Sequence, residues 1–437
     1  MKKLLTNKIF RIISIIVIVI IVMLLVFYLF LNPYRGTLKK YTETLPLDET
    51  ITKEEAIEDI DYVMKLFRTR HPAWLEDKNS RVQNVEAQYH TELNELNNSN
   101  SQELTVLQEW KIIGRIMHEM YDGHSCVFPR YADELYISDF TELNKYGAPV
   151  QINGETTEAV FNRFLAVYQY EMESYARATF EEGNLYYKSR LDLADVDTSN
   201  GVTYTFDTEE GIKDFHYDFV PFDQVIGYEA PSYNGEWVYY KISPDNKEGI
   251  FTLKDCEYND EYKRVVKEFF KAVNEAEVEN IIVDLRNNGG GHSLVADEFL
   301  NYLNIDGYYT WAEHDRYGNF LLKFNRRYKK VDNRTPKYDG DLYVLTSTHT
   351  FSSAMDFAMY ITDNDLGEII GEPVGNMPNS YGDVLNFVVP NSKLHINISY
   401  KKWFRIDESK ADEPLNPDYP CDADDAMDKA FEIINNK

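Results

Sequence analysis

An almost unbroken apolar run from Ile12 to Leu31 opens the chain, and a polar stretch with two prolines, Pro33 and Pro46, follows it to about position 50. Beyond it the hydrophobic pattern turns helical. Thr52 and Glu55 form a T-x-x-E capping box, and Ile57, Ile60, Met64 and Phe67 recur at helical spacing. A second helical pattern, Leu104 to Met120, carries Leu107, Ile112, Ile113 and Ile116 and stops at "YDG", where Gly123 is expected to supply a left-handed terminating residue. Residues 51–130 are therefore expected to form a helical domain that presents His124 just past a helix end. Residues 131–235 predict a mixed α+β insert: "GAPVQING" a strand and turn, "TEAVFNRFLAVYQYEMESYA" one helix, "GVTYTF" and "DFHYDFV" strands.

From 236 to 437 strands and helices alternate. "GIFTL", "NIIVDL", "DLYVLT" and "GEIIG" read as strands; "EYKRVVKEFFKAV", "SLVADEFLNYL" and "SSAMDFAMYI" read as helices. Such alternation predicts an α/β fold with βα crossovers around a largely parallel sheet. "VLNFVVP" and "KLHINISY" predict a hairpin, and "DDAMDKAFEII" a closing helix.

Composition narrows the classes. The 437 residues carry a formal net charge of -28, which repels nucleic acid. The three cysteines, Cys126, Cys256 and Cys421, form no C-x-x-C pair. Twenty apolar residues at about 1.5 Å each span about 30 Å, one bilayer core. The run exceeds the h-region of a cleavable signal and lacks small residues at a cut site. Lys2, Lys3, Lys8 and Arg11 precede it. Residues 1–31 are thus expected to be a cytoplasmic tip and single transmembrane anchor, 32–50 a stalk, and the remainder to lie outside the cell membrane.

Three stretches carry candidate chemistry. "IIVDLRNNGGGHS", Ile281 to Ser293, runs a strand through three glycines into a helix, an arrangement that lets backbone amides approach an oxyanion. It satisfies neither the dinucleotide nor the P-loop fingerprint. "TFSSAMDFA" sets Ser352 and Ser353 at the start of a helix, where a serine is either an N-cap or a nucleophile. "YDGHSC" holds His124, and the six-residue spacing from His118 does not suit two zinc ligands on one helix face, so no metal or cofactor is expected.

The combination of "IIVDLRNNGGG", "YVLTSTHTFSSAMDFA" and "IIGEPVG" resembles peptidase family S41, which includes the C-terminal processing (tail-specific) and tricorn-type proteases. "EDIDYVMKLFRTRHP" and "MYDGHS" are similar to that family's helical domain, and "GAPVQINGETTEAVF" is faintly similar to its PDZ-like insert. The resemblance implies a ClpP/crotonase-like βα catalytic core over 236–437 and a membrane-anchored serine endopeptidase that acts on protein or peptide substrates. It places the nucleophile directly after Phe351, at Ser352, with oxyanion amides from Ser353 and Gly290. The lysine base of the tail-specific branch is replaced by Met377, so the resemblance implies the other branch, with His124 as base. For the orienting acid, the strict register of the resemblance in "ESKADEPLNPD" gives Ala411, and a shift of one or two residues gives Asp412 or else Glu413. A protein that kept the scaffold as an inactive extracellular binder is the alternative expectation.

Overall fold

The computed structural model describes residues 2–130, 133–228, 235–332 and 334–436. The apolar run is helical: Lys2–Val26 is followed by a wider turn, Phe27–Leu31, and Phe10–Leu31 is long and apolar enough to cross a membrane. No side chain of that span is buried against the rest of the chain. The segment read as a stalk lies along the body: the Leu38 amide donates to the Asn386 carbonyl at 2.7 Å, and the Leu45 amide to that of Ser392 at 3.0 Å.

The predicted capping box is present. The Thr52 side chain accepts from the Glu55 amide, and the Glu55 carboxylate accepts from the Thr52 amide at 2.8 Å, starting the helix Lys53–Arg70. A second box, Thr105 with Gln108, starts Val106–His118. Gly123 does not end that helix. Tyr121 takes the left-handed conformation (φ 48°), whereas a Cβ at Gly123 would stand 3.3 Å from the Phe351 ring, so the glycine serves close approach.

The C-terminal part is built on a six-stranded sheet in sequence order: Val238–Ile242, Glu248–Leu253, Asn280–Asp284, Asp341–Thr346, Glu368–Gly371 and Tyr419–Pro420. The first pair is antiparallel and the rest are parallel. Alternation along the strands sorts their side chains: Ile281, Val283, Leu342 and Val344 face the core containing the helices Asp260–Glu275, Leu294–Leu300 and Ser353–Thr362. Ile282, Tyr343, Leu345 and Ile370 face the closing helix Ala426–Asn436. Loops leaving the carboxyl ends of three adjacent parallel strands, Asn280–Asp284, Asp341–Thr346 and Glu368–Gly371, carry the triglycine, the serines and Asn376 to one edge, the usual place for a site in such a sheet.

The hairpin Tyr381–Val388 and His395–Phe404 belongs to another sheet and crosses to the N-terminal half. Leu385, Phe387, Ile396 and Ile398 are buried in one core with the helices Lys53–Arg70 and Val106–His118. This return of late strands into an early core brings the histidine to the serine. Strand His395–Phe404 pairs with Val127–Phe128, and the Cys126 amide and carbonyl bond Asn397 at 3.2 and 2.9 Å, two residues after His124.

Candidate active site

Ser352 is not an N-cap. Its backbone sits at φ 54°, ψ -125°, outside the extended region that N-cap residues adopt, and its side chain bonds no amide of the helix Ser353–Thr362. Such a conformation in a non-glycine residue costs on the order of 1–3 kcal/mol and persists only where the surroundings impose it. Here the Ser352 amide donates to Asn376 Oδ1 at 2.7 Å, and the Phe351 amide to the Asn288 carbonyl at 2.9 Å. The strain turns the hydroxyl out of the helix start, and Ser352 Oγ lies 3.1 Å from His124 Nε2.

The histidine is fixed on all sides. Its amide donates to Asp122 Oδ1 at 2.9 Å, and its ring lies against Phe351 with centroids 4.8 Å apart. Asp122 Oδ2 accepts from His71 Nε2 at 3.1 Å and from Ser399 Oγ at 2.8 Å. Because His71 Nδ1 accepts from the Ala73 amide, His71 is the Nε2–H tautomer, and burial holds its pKa down. Burial alone would raise Asp122, but the hydrogen bond from His71, with the charge His124 can carry, holds it well below the ordinary carboxylate range.

The buried Nδ1 of His124 faces two carboxylates without a hydrogen bond to either: Glu171 Oε1 at 3.7 Å and Asp122 Oδ1 at 3.9 Å. The Glu171 side chain is 4% exposed and is held by the amides of Gly123 (3.4 Å) and Met377 (3.0 Å). Burial opposes charge on His124, yet Glu171 and then Asp122 outweigh it and raise its pKa above 6.5. Burial likewise raises Glu171, against the pull of His124. A cation could span the donor atoms of Asp122, His124 and Glu171, which lie within 4.8 Å of one another. Their donors and acceptors suit an imidazole better: both Asp122 oxygens and both Glu171 oxygens already accept hydrogen bonds, and Nε2 is turned to the serine.

The expected acids lie elsewhere. Asp412 and Glu413 are exposed, just past the turn Glu408–Lys410, and line no part of the cleft beside Ser352. Glu171 stands at the ring instead, and sequence reading missed it because it expected one helix from Thr157 through Ala176. The structure has two, Thr157–Leu165 and Glu173–Glu182, and Glu171 comes from the loop between them. The residues around it offer no glycine or proline to announce that loop.

The amide expectation also shifts by one residue. Gly290 N–H donates to Asn288 Oδ1 at 2.9 Å and is occupied. The cleft is lined instead by Gly291 and Ser353, whose amides have no acceptor among the described residues. Gly290 is still required: at φ 98°, a Cβ would stand 2.7 Å from both the Phe351 carbonyl oxygen and Ser352 Cβ. Met377, at the lysine's place, contributes only its backbone to Glu171. The cleft, ≈ 650 Å³ in volume, contains one lysine among its described lining residues, Lys401. Burial lowers the Lys401 pKa but Asp315 and Asp383 more than restore it, so the ammonium is kept charged and is unsuited to be a base.

Residues 248–421 match the model of peptidase family S41. The chain is similar to the crystal structure of mature CPAF, with 12% identity, a TM-score of 0.62, and 88% of this chain and 96% of that one covered. It is equally similar to mature CPAF complexed with lactacystin, at 12% identity and TM-score 0.62 over 88% and 99% of the two chains. The photosystem II D1 C-terminal processing protease aligns at 12% identity and TM-score 0.45 over 86% and 94%. No match is found among curated proteins. At such identities the two CPAF structures establish a shared fold, while the matched segment contains the triglycine, both serines and Asn376. With that segment and that fold, residues 248–421 form a domain that matches peptidase family S41, which supports a peptidase of the serine type.

Proposed function

We propose that Ser352 is the nucleophile of a membrane-anchored endopeptidase and His124 its general base. The observation that carries this is the 3.1 Å contact between Nε2 and a serine hydroxyl held in a strained backbone. Ser352 Oγ attacks the peptide carbonyl carbon as its proton passes to His124 Nε2. The amides of Gly291 and Ser353 receive the oxyanion, the latter at the positive end of a ten-residue helix. The Nδ1 side of the imidazolium then faces Glu171. His124 returns the proton to the leaving amine, and water releases the acyl group by the same route in reverse.

The apolar helix Phe10–Leu31, with basic residues ahead of it, supports an anchor whose N-terminus is cytoplasmic and whose body is extracytoplasmic. A serine-directed fluorophosphonate probe tests the chemistry on the full chain in detergent. Wild type is expected to label and Ser352→Ala not to; labelling that survives the substitution rejects Ser352. Protease digestion of intact cells tests the topology, with the body expected to be degraded from outside.

A further inference from the structure

The helix that starts at Ser352 carries a carboxylate into the cleft one turn further on. The Asp356 amide bonds the Ser352 carbonyl at 2.9 Å, so the two residues share a helix face, where i and i+4 side chains are about 5–6 Å apart. Asp356 lines the cleft beside the reacting groups. Among the described residues its carboxylate has no hydrogen-bond or ion-pair partner.

The other cleft acids differ in this. Asp383 is met by Lys401 at 3.2 Å and by the Tyr400 hydroxyl at 3.1 Å, and Glu313 accepts from Trp311 Nε1 at 3.4 Å. Burial pushes Asp356 up to about 7, with only the charge of His124 opposing it. Asp356 is half-buried, so its unpartnered carboxylate has lost part of its hydration, and an incoming cation offsets that loss. Met355 and Trp311, in the same lining, offer apolar surface to the methylene stem that such a cation would bring.

Resting on the reading of Ser352 as a peptide-cleaving nucleophile, we propose that Asp356 determines specificity by pairing with the lysine or arginine side chain of a residue adjoining the scissile bond. A helical turn from the attacking oxygen is within reach of a side chain on either side of that bond. The cleft's formal charge agrees, since Glu313, Asp356 and Asp383 face one lysine.

The test uses the full chain in detergent and internally quenched peptides varied at each position around the cleaved bond. At one adjoining position, kcat/KM for lysine or arginine is expected to exceed that for alanine or leucine at least about tenfold. Asp356→Asn should bring that ratio near one, Asp356→Glu should restore most of it, and Asp356→Lys should turn the preference toward acidic residues. The wild-type profile needs no variant to fold, and a profile without basic preference overturns the proposal. So does a ratio that Asp356→Asn leaves unchanged. Absence of cleavage of every peptide rejects the peptidase reading itself and this inference with it, whereas cleavage without basic preference rejects the specificity alone.

Discussion

Glu171 is where residue-level reading of the sequence and the structure part most clearly. Local pattern left Ser352 open between N-cap and nucleophile, and Ser352 and His124 were singled out together only by the resemblance of the blocks around them to peptidase family S41. Glu171 lies in a loop that apolar spacing disguised as helix, and its partners are backbone amides that leave no mark in sequence. If it orients the imidazole, Glu171→Gln should lower kcat by about 10² to 10⁴ while KM changes little. Asp412→Asn, an exposed substitution, should leave kcat within about twofold. The pH profile separates orientation from mere folding. A base works when neutral and the His124 pKa is raised, so kcat/KM should climb with pH through a midpoint above 6.5. Removing Glu171 removes the largest of the influences raising that pKa, so residual activity in Glu171→Gln should have a lower midpoint. An unchanged midpoint would reject Glu171 as the partner of Nδ1.

Between elements, the site depends on backbone conformations that side-chain patterns do not encode. Strand-to-glycine-to-helix and strand-to-serine-to-helix were both readable, and so was the parallel order of the strands. The strain at Ser352 was not, because it comes from two neighbouring loops: Gly290 leaves room beneath the serine, and Asn376 takes its amide. Gly290→Ala adds a Cβ at φ 98° against the Phe351 carbonyl and Ser352. It should cost about 1–3 kcal/mol in stability, read by thermal melting. Its effect on the site should be larger in proportion. Displacing Ser352 and the Ser353 amide should slow fluorophosphonate labelling by about 10² or more, since an oxyanion donor works only when aimed at the developing charge. A variant that labels at the wild-type rate would show that the close contact is dispensable.

The scale of the whole molecule explains why nucleophile and base must be argued together. Ser352 belongs to a loop of the six-stranded sheet, whereas His124 hangs from a core shared by the early helices and the late hairpin. Activity therefore reports how firmly the hairpin is seated. The segment after the apolar helix is part of that seating. The Tyr34 and Tyr400 hydroxyls meet at 2.8 Å, His395 Nε2 donates to the Thr42 carbonyl at 2.7 Å, and Thr44 Oγ1 to that of Lys393 at 3.0 Å. Together with the amides of Leu38 and Leu45, these bonds hold the outer edge of the strands that pair beside His124. Polar composition and two prolines suggested a free stalk, because composition reports solubility and not where backbone groups find partners. A chain beginning at Asn32 should keep wild-type stability and labelling. One beginning at Pro46 loses all of these bonds, each a net contribution of about 0.5–1.5 kcal/mol, and should be less stable than the chain beginning at Asn32. Its melting temperature should fall accordingly, by several degrees. Labelling of Ser352 should fall further than the folded fraction does, because a loosened hairpin carries His124 away before either core unfolds. Equal stability of the two truncated chains would show that the strap is carried passively on the surface.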